Sequence, residues 1–433
     1  MPNSRADVIV AGGGPLGAYA AWQFAARGLE VLVLENRSEK QDPSDVGVFH
    51  FERIAFDRTG VPLPPPKKVV CTYPGVTLHA PDPRFNLQVD DVETWAMDLS
   101  PFIRDLRAMA VIAGAEFQYG ALVTDVVREG GRIAGVRARV GKTEREFRAP
   151  VVVDATGLAR AVRRHAPDLN EPGADRCFSV YMEYWEQADP PLPDGIHSYM
   201  GANAWTARYP GYWVVGMGKP VPMEALKILH ADWVRAHHPG ARRIRRVVAG
   251  AIPYAFPPAT LVDDGLLVLG DAAATNKPFN GEGIASGMVL ARLAAEVLPA
   301  AVKAGGTRAA LWEINRRYFG EQGAKFAFLQ AMGFSLLTLN EAELNTAVEI
   351  GLVTARDLQQ TFYHYEVKKP LAEWLLPVTR LLRRTAMARK YGAAIYRAVR
   401  VGNLFQHYPS PERFAAWRDG YRRLVVPLQN EKS

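Results

Sequence analysis

A glycine-rich segment between two apolar runs constrains the fold more than any other feature of the chain. The segment DVIVAGGGPLGAYAAWQFAARGLEVLVLEN (7–36) passes from a short apolar run through glycines and an Ala-rich stretch into a second apolar run. This order predicts a strand, a helix and a second strand, over residues 7–11, 15–27 and 29–35. Such a β-α-β unit is typical of a mostly parallel sheet with helices on both faces.

The spacing Gly12-x-Gly14-x-x-Gly17 predicts a dinucleotide site at the turn of this unit. The first glycine permits a tight turn, the second lets the backbone approach a pyrophosphate, and the third lets the helix pack on the strand. The helix N-terminus offers free N–H groups to phosphates. Glu35, at the end of the second strand, can accept hydrogen bonds from ribose hydroxyls and would repel a 2′-phosphate, so NADP is not expected there. The alternative is a fortuitous glycine-rich turn in another α/β protein.

A second motif follows about 250 residues later, in LLVLGDAAATNKPFNGEGIASGMVLA (266–291). Asp271 comes directly after an apolar run, where its carboxylate can bond a sugar or ribityl hydroxyl. The next segment, PFNGEG, leads into another helix, whose N-terminus can face a polar, partly anionic part of a ligand. A folded chain that uses both motifs must bring them together around one long ligand.

With these two motifs, the sequence resembles the FAD-dependent oxidoreductases that share a glutathione-reductase-type fold, and within them it is most similar to the geranylgeranyl reductase group. The aromatic hydroxylases come close behind. The resemblance covers residues 7 to about 300 and the helical tail more loosely. It implies an α/β (α+β) fold with a Rossmann-like FAD-binding domain on a mostly parallel sheet, an antiparallel-sheet substrate domain and a helical C-terminal region. The expected boundaries are 1–60, 96–170 and 255–310 for the first domain, 61–95 and 171–254 for the second, and 311–433 for the third.

The resemblance also implies a set of cofactor contacts. The ADP half of FAD would be held by Gly12, Gly14, Gly17 and Glu35, with Pro15, Leu16, Asn36 and Arg37 beside them. The diphosphate or ribityl chain would lie near Arg104, Gly270 and Asp271, and the adenine near the backbone of Val123. Further contacts would come from Gly47, Ala155, Thr156 and Gly157, the last three in a segment also tied to pyridine nucleotide binding in hydroxylases. The loop bordering the isoalloxazine ring would contain Pro278, Gly281, Gly283 and Ile284.

Several family features are missing. The loop after the second strand, where geranylgeranyl reductases often carry a cysteine, has Gly47 in the matching place. Many hydroxylases have His after GDAA, whereas this chain continues GDAAATNKP. No second GxGxxG in the right context follows, so NADPH or NADH, or another reductant, would donate electrons transiently. No catalytic residue is assigned; His50 is either a proton donor or an ordinary loop histidine.

The leading hypothesis from the sequence is an FAD-dependent oxidoreductase that reduces a C=C bond of a hydrophobic, isoprenoid-like substrate by hydride from reduced flavin. The alternative is a single-component FAD-dependent monooxygenase, a hydroxylase or epoxidase of secondary metabolism that uses a flavin hydroperoxide. In either case the flavin carries the electron chemistry and the protein orients it. A non-catalytic FAD-binding protein is disfavoured because every phosphate-contacting element is retained.

Composition adds limits on partners and location. The net charge of +7 is spread along the chain with no nucleic-acid motif, and the two cysteines exclude a disulfide framework, which fits a cytoplasmic location. No window is expected to span a membrane. His230, His237 and His238 are expected to form a solvated surface cluster, and no metal site is expected. The oligomeric state is left open.

The tail from 371 to 405 mixes Leu, Trp and Ile with many Arg and Lys. On helices, these residues would form apolar and basic faces. Such faces could contact an anionic membrane surface or cover a lipophilic tunnel; alternatively, they form a basic helical cap on the FAD-binding domain. Prolines 370, 377, 409 and 411 are expected to break these helices.

Overall fold

The computed structural model describes residues 6–188, 192–240, 242–368 and 370–430. The strands are, in chain order, β1 (Val8–Ala11), β2 (Val31–Glu35), β3 (Val48–Glu52), β4 (Val69–Tyr73), β5 (Val76–His79), β6 (Leu87–Val89), β7 (Thr94–Asp98), β8 (Glu116–Tyr119), β9 (Ala121–Glu129), β10 (Arg132–Val140), β11 (Thr143–Arg148), β12 (Val151–Asp154), β13 (Cys177–Ala188), β14 (Ile196–Tyr199), β15 (Ala204–Tyr209), β16 (Tyr212–Lys219), β17 (Arg242–Pro253), β18 (Val262–Asp263) and β19 (Leu266–Val268).

The helices are α1 (Pro15–Ala25), α2 (Arg53–Thr59), α3 (Leu99–Ile112), α4 (Met223–His237), α5 (Ile284–Lys303), α6 (Arg308–Tyr318), α7 (Ala324–Leu336), α8 (Glu341–Glu349), α9 (Ala355–His364), α10 (Leu371–Leu382), α11 (Thr385–Gln406), α12 (Phe414–Leu424) and α13 (Val426–Asn430). The predicted β-α-β unit is therefore confirmed as β1, α1 and β2. Together with the sheets described below, these helices confirm the expected mixed α/β fold class.

The first sheet has six strands in the order β18-β19-β12-β1-β2-β8. Strand β1 lies in the middle, parallel to β2 on one side and to β12 on the other, and only the short β18 is antiparallel. The apolar β1 is buried along its whole length, with α1 packed against α3 and α5. From β1 the chain runs outward through β2 and β8, then returns to β12, so the sheet reverses its strand order beside β1. Ligands of such sheets bind at this reversal, outside the carboxyl ends of the strands.

A second sheet has seven strands in the order β17-β13-β16-β15-β14-β5-β6. Its two longest strands, β13 and β17, are antiparallel neighbours of 12 residues each. Helix α4 packs on one face of β13 and β16. The opposite face meets the smaller sheet β3-β7-β4, because Tyr184, Tyr209 and Val214 share a buried apolar cluster with Val48 and Ala96.

The remaining three-stranded sheet contains a hairpin, which the sequence predicts from Gly130-Gly131 between the strand-like segments 123–129 and 132–140. Strands β9 and β10 pair across Gly130 and Gly131, which both have positive φ, at 56° and 85°. A two-residue hairpin turn of this kind requires positive φ at both positions, which glycine adopts without strain. The hairpin prediction is thus confirmed, and β11 extends it into a sheet.

Helix α5 is the long apolar helix that follows the second motif. With 20 residues and a mean hydropathy of 1.5, it is long and apolar enough, by length and composition alone, to cross a membrane. In the structure 61% of it is buried, packed on α1, α2 and α6 as a core helix. A helix buried among other helices lacks a polar face, as a membrane-spanning helix does, which is why this core helix meets the length and composition test.

The C-terminal helices pack on the core through one side of α11. Its buried residues, among them Ala398, Val401 and Phe405, join the main hydrophobic core and lie against α7. Pro377 does not break α10: its buried ring packs beside Gly351, and the helix continues to Leu382. The outer side of α10 and α11 exposes both polar and apolar side chains, among them Arg389, Leu382 and Tyr396.

Candidate active site

The turn between β1 and α1 is closed to side chains on its protein side and open on its other side. A side chain at Gly12 would bring its Cβ within 2.5 Å of the Ala155 carbonyl oxygen, and one at Gly17 would overlap the Gly12 carbonyl oxygen. A Cβ at Gly14 would meet no atom within 4 Å. Helix α1 begins at Pro15 without a side-chain cap, so its first N–H groups are free for an anionic ligand.

Glu35 ends β2 beside this turn, and its carboxylate is 5% exposed. Its Oε2 atom accepts the Gly13 N–H at 2.7 Å, and Oε1 accepts the Arg37 N–H at 2.8 Å. A carboxylate has about four acceptor positions, so capacity remains for ribose hydroxyls. Asn36 is exposed, and the Arg37 side chain pairs with Asp45 at 2.6 Å.

The basic residue of α3 that faces the turn is Arg107, which sequence reasoning missed. Its Nε donates to the Gly13 carbonyl at 2.9 Å, and its Nη2 lies 3.3 Å from Glu35 Oε2 without a hydrogen-bond partner. The expected Arg104 lies on the exposed side of the helix and pairs with Asp42 at 2.9 Å. Arg107 continues the buried stripe of Ile103, and that periodicity was the signal that could have identified it.

The segment after β12 is folded around Asp154, whose carboxylate is fully buried. It accepts the Thr156 hydroxyl at 2.6 Å and the N–H groups of Val162 and Arg163 at 2.9 and 2.6 Å. The Ala155 N–H donates to the Ala11 carbonyl at 2.9 Å, which attaches the segment to the end of β1. Gly157 has a φ of 64° and open space where its side chain would be.

Asp271 and Arg160 meet at the same edge of the sheet. Asp271 follows β19, and burial raises the pKa of its carboxyl to about 6, an effect that the nearby Arg160 reduces. Arg160 is 8% exposed; one of its terminal nitrogens pairs with Asp175, while Nε and Nη2 have no hydrogen-bond partner. The Leu16 side chain packs against Gly270, where a Cβ atom would lie 3.1 Å from Leu16 Cγ.

The loop before α5 joins this edge to the seven-stranded sheet. The loop is closed by backbone bonds between Lys277 and Glu282 and between Gly281 and Lys277, at 2.7 and 3.0 Å. A Cβ at Gly281 would lie 2.6 Å from Ile252 of β17, and one at Gly283 would lie 3.3 Å from Asp271. Pro278 is buried in the loop, and Ile284 is the first residue of α5.

Two further residues of this loop carry no prediction from the sequence. Phe279 is 52% exposed and has a φ of 74°, a left-handed conformation that is strained for an aromatic residue. Lys277 is buried, pairs with Glu52 at the end of β3, and places its ammonium 4.5 Å from the centre of the Phe362 ring. The Lys277 contacts with Glu52 and Phe362 hold the loop against β3 and α9.

Two further predicted residues lie on other elements, Val123 on β9 and Gly47 just before β3. Val123 is buried in β9, paired with Ala138. Gly47 lies beneath the seven-stranded sheet, where a Cβ would be 3.1 Å from Arg246 Nη1 and 3.4 Å from the Tyr184 hydroxyl. The structure therefore brings together the predicted residues of the glycine turn, β2, β12, β19 and the loop before α5.

The histidines differ from two expectations. His50 lies in β3 rather than in a loop, its Nε2 is 2.9 Å from the Tyr209 hydroxyl, and burial lowers its pKa to about 4. A neutral imidazole has no readily released proton, so the proton-donor alternative is not supported. His230 is not on the surface: it is 1% exposed, with its ring edge-on to Tyr181, because it belongs to the buried side of α4.

The glycine turn, Glu35 and Asp271 lie at the edge of the parallel sheet that is here called the cofactor edge. The face of the seven-stranded sheet that looks toward this edge is apolar. Phe178, Val180 and Met182 of β13 point to the same side as their partners in β17, which are Ile252, Gly250 and Val248. The Phe178 ring stacks on Tyr254 at 3.9 Å, and Tyr254 contacts Phe334 of α7 at 4.7 Å. This wall is suited to a hydrophobic substrate.

Comparisons with known proteins agree with this architecture, although no family model matches the chain. Digeranylgeranylglycerophospholipid reductase of Sulfolobus acidocaldarius is 24% identical over 448 residues, covering 96% of this chain and 97% of the relative. The enzyme of that name from Methanothrix thermoacetophila is 30% identical over 319 residues, covering 70% of this chain and 80% of the relative.

The structural comparison points the same way. A geranylgeranyl bacteriochlorophyll reductase-like protein from Thermoplasma acidophilum superposes with a TM-score of 0.74 at 20% identity, covering 90% of this chain and 99% of that protein. A likeness at that identity establishes the fold. With the 30% identity of the Methanothrix enzyme, this chain belongs to the geranylgeranyl reductase family of FAD-dependent oxidoreductases.

Proposed function

We propose that the protein is an FAD-dependent reductase that saturates a C=C bond in a hydrophobic, isoprenoid-like substrate. One observation carries the proposal: the cofactor edge of the parallel sheet and the apolar wall of the second sheet meet where Gly281 contacts Ile252. The names of the curated relatives describe reductases of lipids with such chains.

The residues at the sheet edge fit FAD. The uncapped N-terminus of α1 and the open space at Gly14 suit a diphosphate, and the Glu35 carboxylate suits a ribose. At the other end of the edge, Asp271 and the unpaired Nε and Nη2 of Arg160 provide an acceptor and donors for the polar chain. Buried donors without partners are rare in native proteins, which supports a ligand at this place.

The protein's own groups have defined tasks in this reaction. FAD held here would, once reduced, supply hydride to one carbon of the C=C bond, and a side chain or water would supply the proton for the other carbon. Arg107 holds the glycine turn against α3, and Lys277 with Glu52 fixes the loop before α5. The apolar wall from Phe178 to Ile252 orients the hydrocarbon chain and excludes water from the reacting carbons.

NADPH or NADH is the proposed electron donor, bound transiently. The chain contains a single GxGxxG between a strand and a helix, and its β1–α1 turn belongs to the FAD site. The donor would therefore reach the cofactor without a dinucleotide domain of its own.

We also propose that the protein is cytoplasmic and lies on the membrane surface, where a lipid substrate would be found. The outer side of α10 and α11 exposes Leu382 and Tyr396 by 63% and 61%. Residues 375–411 contain basic residues and no Asp or Glu. Apolar side chains on a basic helical surface are typical of helices that lie on anionic membranes.

The function is tested with purified, FAD-loaded protein that is reduced by dithionite without oxygen and mixed with a geranylgeranyl lipid. A product that has gained two hydrogen atoms per reduced bond is expected. If this product is absent and oxygen exposure instead gives a product with one added oxygen atom, the protein is a monooxygenase. A protein that cannot take up FAD would contradict both functions.

A further inference from the structure

Strand β17 contains a β-bulge that turns two consecutive arginines toward the substrate face. Tyr184 of β13 pairs with Arg246, whereas its neighbour Trp185 pairs with Ile244, so Arg245 is the extra residue. In a regular strand, adjacent side chains point to opposite faces. Because of the bulge, both Arg245 and Arg246 lie on the same face, at the end of the apolar wall.

Both guanidinium groups stack on tyrosines of that face. The Cζ atom of Arg246 is 5.8 Å from the centre of the Tyr184 ring, and that of Arg245 is 5.2 Å from the centre of the Tyr212 ring. The two tyrosines are themselves stacked, with ring centres 6.1 Å apart. Stacking on aromatic faces holds a guanidinium in place and leaves its N–H groups free to bind an anion.

No carboxylate in the described residues forms an ion pair with Arg245 or Arg246. Of the nearby acids, Asp45 pairs with Arg37 at 2.6 Å and Glu186 pairs with Arg243 at 3.2 Å, whereas Asp98 lies near Tyr184 and Tyr212 without an ion pair to either arginine. Two adjacent cations that form no ion pair favour binding of a multiply charged anion, and arginine matches phosphate oxygens in pairs.

The wall between these arginines and the cofactor edge is apolar. Along β17 the same face continues through Val248 and Gly250 to Ile252, which contacts the loop before α5. The distance from Arg246 to Ile252 is six residues, or roughly 20 Å of extended strand. A ligand that follows this face would have a hydrocarbon chain at one end and an anionic group at the other.

We propose that Arg245 and Arg246 bind the phosphate group of an amphiphilic prenyl substrate and set how far its chain extends toward the cofactor edge. This inference rests on the proposed function, which it deepens. The phosphate could belong to a prenyl diphosphate or to the headgroup of a prenyl glycerophospholipid.

The test compares ligands that share a chain and differ in the headgroup. Geranylgeranyl diphosphate, digeranylgeranylglyceryl phosphate, geranylgeraniol and inorganic pyrophosphate are titrated into the oxidised, FAD-loaded protein, with flavin absorbance as the readout. The wild type should bind the two phosphorylated lipids at least about tenfold more tightly than the alcohol, because charge-assisted bonds are the strong ones. The tighter of the two identifies the source of the phosphate.

The double variant Arg245→Gln/Arg246→Gln should lose this preference and bind geranylgeraniol as the wild type does. Arg243→Gln, at an exposed arginine already paired with Glu186, is the matched control and should keep the preference. KM for the phosphorylated lipid should rise more than KM for geranylgeraniol in the double variant.

Three outcomes would overturn the proposal: an unchanged preference in the double variant, an equal loss of alcohol binding, or pyrophosphate binding as tightly as the lipids. If the wild type retains FAD but neither binds nor reduces any prenyl compound, the proposed function fails as well. Reduction of geranylgeraniol without a phosphate preference would remove this inference alone.

Discussion

The Nε atom of Arg107 donates to the carbonyl oxygen of Gly13 at 2.9 Å, so helix α3 holds the glycine turn from behind. Its Nη2 atom lies 3.3 Å from Glu35, so one buried cation contacts both the turn and the carboxylate proposed to bind the ribose. Removing one partner of a buried ion pair leaves the other charge uncompensated.

Arg107→Ala should therefore weaken FAD binding by at least about tenfold and lower the free energy of unfolding by roughly 3 kcal/mol. FAD titration and chemical denaturation measure the two effects. Arg104→Ala, which removes an exposed ion pair on the same helix, should change both by little. Equal losses in the two variants would contradict the assignment.

The glycines of the turn should separate folding from cofactor binding. Gly12→Ala should destabilise the protein even without FAD, because its φ is 96° and its Cβ would lie 2.5 Å from a carbonyl oxygen. Gly14→Ala should leave the melting temperature of the FAD-free protein unchanged and raise the Kd for FAD, since its Cβ would enter only the open space. A Gly14→Ala protein that binds FAD normally would exclude a diphosphate at this position.

The sequence predicted the elements that depend on local rules and missed those that depend on packing. The β1–α1 turn and the β9–β10 hairpin follow from glycine spacing, so both are correct. On α3 the family pattern suggested Arg104, although the apolar stripe of the helix indicates Arg107; which atoms Arg107 reaches depends on how the helix packs against the turn. His230 was expected on the surface together with His237 and His238. Its burial follows from the side of α4 that packs on the sheet.

The apolar wall and the arginines at its end were harder to predict, because they also depend on how distant segments pack. The wall of β13 and β17 depends on strand register, and the position of Arg245 depends on a bulge, neither of which has a signal in a single sequence. The segment 61–95, predicted to belong to the substrate domain, contributes to two different sheets, since β4 pairs with β7 in the three-stranded sheet and β5 and β6 join the seven-stranded sheet.

His50 should make the protein less stable in mild acid. Its pKa is about 4 in the folded protein and about 6.5 when unfolded, so between these values the unfolded chain binds more protons. The stability associated with neutral His50 is therefore present above pH 6.5 and declines as pH falls toward 4. His50→Gln should reduce the loss of unfolding free energy between pH 7 and pH 5 by roughly 1–2 kcal/mol.

Denaturation curves at pH 7 and pH 5 for both proteins check this difference. Tyr209→Phe, which removes the hydroxyl 2.9 Å from Nε2 but keeps the ring, is the control and should retain the acid sensitivity. Parallel pH profiles for wild type and His50→Gln would mean that the imidazole is not desolvated.

The outer side of α11 should bind anionic membranes. Arg389, Tyr396 and Arg400 are exposed and spaced by seven and four residues, so they share one stripe of the helix, while Ala398 and Val401 on the other side are buried. Each basic residue near an anionic surface contributes roughly 1 kcal/mol. The variant Arg389→Glu/Tyr396→Ser/Arg400→Glu should bind vesicles containing phosphatidylglycerol at least about tenfold less than the wild type.

The matched control is Arg139→Glu/Lys142→Glu, which changes the net charge equally at the exposed end of the β9–β11 sheet. Co-sedimentation with anionic and neutral vesicles measures binding, and FAD absorbance verifies that both variants are folded. The control should sediment with anionic vesicles as the wild type does. Equal losses of vesicle binding in the two variants would mean that binding depends only on net charge. If the wild type binds neither kind of vesicle, α11 only packs on α7 and has no membrane role.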